Sequence, residues 1–155
     1  MYIVEVSSGD KHEVLVLPVE ESDYKQLTKT RFYFAWKAEV AYEVYKLLLI
    51  RTGEVLGLVS LERIPEEWRV HIRLLSVSKE NAGKHKKYDR VAGNLIAHAS
   101  KIAVRSYAEL ACVSLKPKSH IAQHYIDQYG MRRTGMTLSL EVPEILDLIS
   151  YYSHD

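Results

Sequence analysis

At 155 residues the chain has the length of about one domain, and a hydrophobic content of 47% supplies one ordinary core. A formal net charge of +1 removes any bulk-charge argument for nucleic-acid binding. The single cysteine, Cys112, excludes an internal disulfide, and its apolar neighbours make it a buried structural thiol. The seven histidines never take up a recognised ligand spacing. His120 and His124 stand four apart without an acid between them, so no metal is expected. Met-Tyr-Ile-Val-Glu at the start lacks the pattern of a signal peptide, and no apolar run reaches the roughly 20 residues of a membrane span, so the expectation is a soluble, cytoplasmic chain. Eleven tyrosines against two phenylalanines suit half-buried strand and cleft positions.

In chain order, residues 2–6 and 14–17 read as short strands around the polar turn Ser7-Ser8-Gly9-Asp10, the second closed by Pro18. Residues 20–27 suit a short helix, 28–34 are ambiguous, and Trp36, Ala38 and Val40 begin a strand or a loop over the core. Residues 44–50 form a buried strand. Gly53 turns the chain into an antiparallel partner at 55–61, Pro65 marks the next turn, and residues 68–77 alternate as a third strand of a meander. After a polar loop, a helix at 90–106 carries Val91, Ala92, Leu95, Ile96, Ala99, Ile102 and Ala103 on one face, with Asn94, His98, Lys101 and Arg105 as the wet stripe. The apolar strand 109–115 after that helix marks a parallel β-α-β crossover. Ser119 caps a helix at 120–129, Gly130 stops it, 136–142 is a last strand, and Pro143 opens a helix at 144–151 faced by Ile145, Leu148, Ile149 and Tyr152. The result is one α/β domain of the α+β type, residues 1–155: a mixed, mainly antiparallel sheet with one parallel crossover. A crevice is expected where the strand direction changes, around 68–77 and 109–115.

Residues 74–107 carry the functional signal. A strand, a loop and a helix N-terminus offer backbone N–H groups to an anion, and five basic residues (Lys79, Lys84, Lys86, Lys87, Arg90) against two acids (Glu80, Asp89) sharpen that expectation. From here the chain resembles the GCN5-related N-acetyltransferase (GNAT) superfamily, over about its second half. Leu75-Ser76-Val77 is similar to the family's L-x-V before the coenzyme A loop. Lys87-Tyr88-Asp89-Arg90-Val91-Ala92, followed by Leu95-Ile96-Ala97-His98-Ala99, is similar to its [RQ]-x-x-G-x-[GA] loop and L-L-x-x-A helix. The strand after that helix fits as well. Ser119 to Met131 is similar to its N-x-x-A-x-x-[FL]-Y-x-x-x-G-[FM] segment. The departures are specific. Arg90 stands where the family has its first loop glycine, Ser119 takes the place of asparagine, and the loop before Lys87 is long. Ile126 aligns with the family's tyrosine, Tyr125 falling one residue early, and one strand and a helix close the chain where the family has a hairpin. The string from Asn81 to Gly93 looks like that of a small bacterial subgroup.

The resemblance implies an acyl-CoA N-acyltransferase-like fold and acetyl transfer from acetyl-CoA to an amine. It places Leu75, Ser76 and Val77 beside the pantetheine arm, Lys87, Tyr88, Asp89, Arg90, Val91 and Ala92 around the pyrophosphate, and Ser119 at the family's asparagine position. Glu62 and His71 are the candidate bases and Tyr125 the candidate acid, each weighed against an ordinary strand-surface or core role. Residues 23–41, with Tyr33, Trp36 and Tyr42, and the C-terminal segment would form the acceptor pocket. The alternative is a GNAT-like fold without chemistry that binds coenzyme A or a protein. Binding of nucleic acid through Lys84-His85-Lys86-Lys87 is the weakest alternative. No membrane partner is expected, and a homodimer through a sheet edge or the last helix fits.

Overall fold

The computed structural model describes residues 1–153, with the Ser119 side chain outside the described residues. It divides into two compact units, Met1–Ser60 with Leu74–Leu95, and Leu61–Arg73 with residues 96–153.

In the first unit, β1 (Tyr2–Glu5) and β2 (Lys11–Pro18) pair antiparallel, with Tyr2 opposite Glu13. Next comes β3 (Glu43–Leu49), whose Leu49 faces Val14 and whose Tyr45 faces Pro18. Gly53, at φ +74°, turns the chain into β4 (Glu54–Ile64). Residues 20–27 carry a 3-10 turn, Glu21–Lys25, in place of a longer helix. The ambiguous residues 28–34 hold one helical turn, α1 (Lys29–Phe32), capped by Thr28 and stopped at Tyr33 in a left-handed conformation. Trp36 begins a further 3-10 turn, Trp36–Glu39. Phe32 and Trp36 are fully buried with Leu27, Val44, Val55 and Leu58 in one cluster, and the Trp36 indole donates to the Phe32 carbonyl at 3.2 Å. Nothing in this stretch is periodic, because its few large side chains plug the sheet from short turns.

The first unit also holds an element with no sequence signal, the two-residue β6 (Tyr88–Asp89), which pairs antiparallel with Glu5 and Val4. This pairing changes the reading of helix α2 (Val91–Tyr107), whose first turns follow β6 directly. Asn94 was expected on the wet stripe, but it is fully buried. Its amide donates to the Tyr2 carbonyl at 2.9 Å and to the Arg90 carbonyl at 2.8 Å, so β1 covers the first residue of the stripe that periodicity assigned to solvent, while Arg105 at its far end is exposed. On the opposite face α2 lies hard against β4. A Cβ on Gly57 would stand 2.9 Å from both Leu95 and Val91 side chains and 3.2 Å from the Ser76 carbonyl oxygen.

In the second unit, Pro65–Glu67 forms a 3-10 turn. Trp68 takes φ +50° and precedes β5 (Arg69–Val77) instead of opening it. Residues 69–72 of β5 pair in parallel with β7 (Cys112–Leu115), Arg69 opposite Cys112 and His71 opposite Ser114. The crossover is therefore present. The strand starts at Cys112, because residues 108–110 form a 3-10 turn. Ser119 opens a 3-10 turn before α3 (Ala122–Tyr129), with Lys118 in the capping position expected for Ser119. Gly130, at φ +72°, stops α3 as expected.

The chain closes with a hairpin where a single strand was expected: β8 (Arg132–Thr134) pairs antiparallel with β9 (Thr137–Leu140), and β9 pairs with β7. All three residues of β8 are exposed, so the strand shows no apolar alternation. The last helix, α4 (Val142–Ser153), buries Ile145, Leu148 and Tyr152. The strands form one mixed sheet in the order β6-β1-β2-β3-β4-β5-β7-β9-β8. No helix among the described residues is long and apolar enough to cross a membrane, and no group of three His, Cys, Asp or Glu side chains among them could hold a metal ion.

Candidate functional site

The segment expected to hold a coenzyme lies within the first unit. Successive side chains of β5 alternate between faces. Ser76 is buried, with its hydroxyl donating to the Phe32 carbonyl at 2.9 Å, while Leu75 and Val77 on the other face are half-buried. Ser76 is thus a strut to α1, and Leu75 and Val77 offer the more accessible face.

The loop after β5 is more ordered than a solvated connector. Ser78 and Asn81 are buried. The Asn81 amide donates to the Ser78 hydroxyl at 2.6 Å, and its oxygen accepts from the Tyr88 N–H at 3.0 Å. The Lys87 N–H reaches the Glu80 carbonyl at 3.1 Å, and the Val6 N–H reaches the Lys87 carbonyl at 3.0 Å. Tyr88 is buried, with the His12 ring edge-on to it at 6.1 Å and the Lys87 ammonium over its ring at 5.3 Å. Arg31 of α1 closes the loop's start from the side, donating to Glu54, to the Val55 carbonyl and to Glu80, each at 2.9 Å.

Arg90 keeps the backbone conformation that glycine would supply, at φ +78°. Its guanidinium lies over the Tyr2 ring at 4.1 Å, and its Nε donates to the Tyr2 carbonyl at 3.3 Å. The side chain therefore folds toward β1. The first intrahelical bond of α2 runs from the Asn94 N–H to the Arg90 carbonyl at 3.1 Å, so the Val91, Ala92 and Gly93 N–H groups precede the helical ladder. Those amides and the helix dipole form the anion-attracting end of α2. The Asp89 carboxylate accepts from the Arg90 N–H and from Lys86, each at 2.9 Å. Burial pushes that carboxyl up, and Lys86 and Arg90 outweigh it and hold it below the usual aspartate value.

The residues expected to move protons lie in the second unit. His71 and Ser114 face each other across the parallel ladder, Nδ1 to Oγ at 2.8 Å. Arg69 donates to the same hydroxyl at 2.8 Å, and its Nη1 lies 3.5 Å from Nδ1. Glu67 anchors Arg69 by accepting from its Nε at 2.8 Å and from its Nη2. Burial pushes the His71 imidazole below its ordinary value. Arg69 and Arg73 act in the same direction and Glu62 against them. Glu62 itself stands 3.8 Å from Arg73. Cys112 is half-buried where a buried thiol was expected, and burial pushes its thiol up.

Tyr125 is half-buried on α3, with its ring centroid 5.9 Å from that of Tyr129 and 6.0 Å from that of His124. Burial raises its phenol, so it stays protonated at neutral pH. Ile126 occupies the next position. Arg31, Arg69 and Ser114 escaped the sequence reading, and Asn81 and Asn94 appeared in it without the buried bonds they make. The signal for Ser114 was its place two residues after Cys112 in an apolar strand, which puts both on one face.

No protein-family model matches the sequence, and no curated protein does. Solved structures do match. A protein assigned as a streptothricin acetyltransferase of Bacillus anthracis, in complex with acetyl coenzyme A, aligns with TM-score 0.64 at 13% identity, covering 84% of this chain and 99% of that one. The chain has the GNAT fold. A Vibrio cholerae spermidine N-acetyltransferase chimera aligns with TM-score 0.66 at 13% identity, covering 86% of this chain and 98% of that one. An IAA acetyltransferase of Bacillus cereus aligns with TM-score 0.61 at 14% identity, covering 84% and 100%. At such identities the likeness concerns the fold alone, and the resemblance noted in the sequence runs over about residues 74–135 of it.

Proposed function

We propose that residues 1–155 form a single GNAT-like domain that transfers an acyl group, most simply acetyl, from coenzyme A to an amine. The observation that carries this is Arg90, which adopts glycine's left-handed backbone while its side chain folds onto Tyr2, leaving the start of α2 shaped for a pyrophosphate. The acetyl coenzyme A bound to the Bacillus anthracis neighbour supports the same co-substrate here.

In this scheme Leu75 and Val77 flank the pantetheine arm, and the amides of Val91 and Ala92 bind phosphate oxygens. Lys87 supplies charge at the loop. The neutral amine attacks the thioester carbonyl carbon. The C–N bond forms, the C–S bond breaks, and the coenzyme leaves as a thiolate that takes up a proton. Direct attack needs no enzyme nucleophile. Glu62 and His71 are the groups assigned to proton transfer from the amine, and Tyr125, protonated at neutral pH, is assigned to the thiolate.

The test is release of free coenzyme A thiol from acetyl-CoA across a library of primary amines and polyamines. Turnover above the buffer rate with at least one amine is expected. Ile126 at the family's tyrosine position favours one other role, a coenzyme-binding module without chemistry. Retained acetyl-CoA binding with no thiol release from any amine would select it.

A further inference from the structure

Within the second unit, the end of α3 and one flank of α4 enclose a cavity of about 330 Å³. That size falls near the lower end for small-molecule sites, about 300–1,000 Å³. None of the residues assigned above to the coenzyme or to proton transfer lines it. Glu144, Asp147, Leu148, Tyr151 and Tyr152 recur at helical spacing along α4 and form one wall. Tyr129 and Gly130 contribute to the other. The two helices approach closely at Gly130, where a Cβ would lie 3.7 Å from the Glu144 Cγ.

The electrostatics of the cavity have one sign. Glu144 and Asp147 bring two carboxylates, and no lysine, arginine or histidine among the described residues lines it. The C-terminal end of α3 adds the negative pole of a helix, whose last carbonyls lack intrahelical donors. Arg132 donates to the Glu144 Oε1 at 2.6 Å, but its own side chain is 69% exposed, so solvent screens that pair. The second carboxylate oxygen, Oε2, is shut off from solvent and has no hydrogen-bond partner among the described residues. A buried acceptor in that state is costly until a donor reaches it. The rest of the lining suits an apolar stem: Leu148, Tyr129 and Tyr152 are buried, and Tyr151 is exposed. Aromatic rings also attract a cation.

We propose that this cavity binds the ammonium end of a primary alkylamine. An ammonium N–H donates to the Glu144 Oε2, Asp147 adds negative charge from its exposed position, and Leu148 and the tyrosines enclose the alkyl stem. The inference goes beyond acyl transfer and does not depend on it. It requires both charge and a donor. A quaternary ammonium has the charge without an N–H, and an alcohol has a donor without the charge.

The experiment is titration of the full-length, isotope-labelled chain with n-butylamine at neutral pH, followed by amide NMR, with tetramethylammonium and butanol titrated in parallel. Saturable shifts are expected at the Gly130, Asp147 and Tyr151 amides, with a Kd on the order of 1 mM, which a ligand of about five heavy atoms can reach. The two comparison ligands should bind about tenfold more weakly or worse. Glu144→Gln should weaken butylamine about tenfold. Asp147→Asn alters an exposed side chain, so it keeps the test open if Glu144→Gln loses its fold, and it should weaken binding about two- to fivefold. An absence of saturable shifts at these amides would overturn the proposal, as would shifts confined to the surroundings of Glu62 and His71. Tetramethylammonium binding as tightly as butylamine would overturn it too, and so would an affinity that neither variant changes.

Discussion

The loop of the first unit and the polar strand face of the second present opposite kinds of chemistry. Around residues 78–94 side chains turn inward and bond the main chain: Asn81 to the Tyr88 N–H, Asn94 to the Tyr2 and Arg90 carbonyls, and Arg90 to Tyr2. What remains for a ligand there is backbone. On β5 and β7 the main chain is committed to a ladder, and side chain bonds side chain from Glu67 to Arg69 to Ser114 to His71. In the first region the backbone conformation is what counts, and Arg90 holds a left-handed φ of +78° there. In the second, the bonding depends on the identity of each group.

The largest expected effect on stability comes from forcing the loop's supporting helix away. Gly57→Val pushes branched carbons into Leu95 and Val91, which a Cβ alone already meets at 2.9 Å. Overpacking of this kind should cost about 1–3 kcal/mol in chemical denaturation. Coenzyme binding should weaken with it, and wild-type stability would show that α2 does not need its close approach to β4. Asn81→Ala tests the backbone argument from inside. It strands the Tyr88 N–H, and a loss of about 1–3 kcal/mol is expected together with weaker coenzyme binding. If instead acetyl-CoA affinity is unaffected, the loop's conformation is not what a ligand reads.

Arg90→Gly should change little. It relieves the left-handed strain, about 1–2 kcal/mol, and forfeits a stacking contact of about 0.5–1 kcal/mol and the Nε bond to the Tyr2 carbonyl, about 0.5–1.5 kcal/mol, so stability should stay within about 1 kcal/mol of wild type. Its coenzyme affinity should be close to wild type. A collapse of binding would make the guanidinium the anion's contact and erase the contrast between the regions.

The smallest effect is on pH dependence. The His71 imidazole is held below its ordinary 6.5, so the folded state favours the neutral ring. The stability this contributes is fully present above pH 6.5 and is lost as pH falls through the lowered value. A His71→Gln chain should lack that acid-side loss in urea melts at successive pH values, and an unaltered acid-side slope would assign the dependence to other groups.

The sequence disclosed the parts of the fold that are local. The meander of β3, β4 and β5 follows from apolar alternation interrupted at Gly53 and Pro65, and the crossover follows from an amphipathic helix between apolar strands. It concealed what depends on distant pairing. Tyr88 and Asp89 carry no strand pattern and become one only against Val4 and Glu5. Helical periodicity put Asn94 in solvent because it cannot foresee that β1 covers this residue. Arg132–Thr134 is a wholly exposed edge and so lacks the period-two signal. At the candidate site the same division holds. Glu62 and His71 were visible as residue types on strands, and the loop as a resemblance. Ser114 becomes a partner of His71 only through the parallel register of β5 with β7.

Calorimetric titration of the purified chain with acetyl coenzyme A, controlled with adenosine diphosphate and desulfo-coenzyme A, bears most directly on the proposed function. Micromolar binding is expected, weakened by Asn81→Ala and unchanged by Ser114→Ala. An absence of binding even at millimolar ligand would contradict it and leave the chain a GNAT-shaped scaffold with another task.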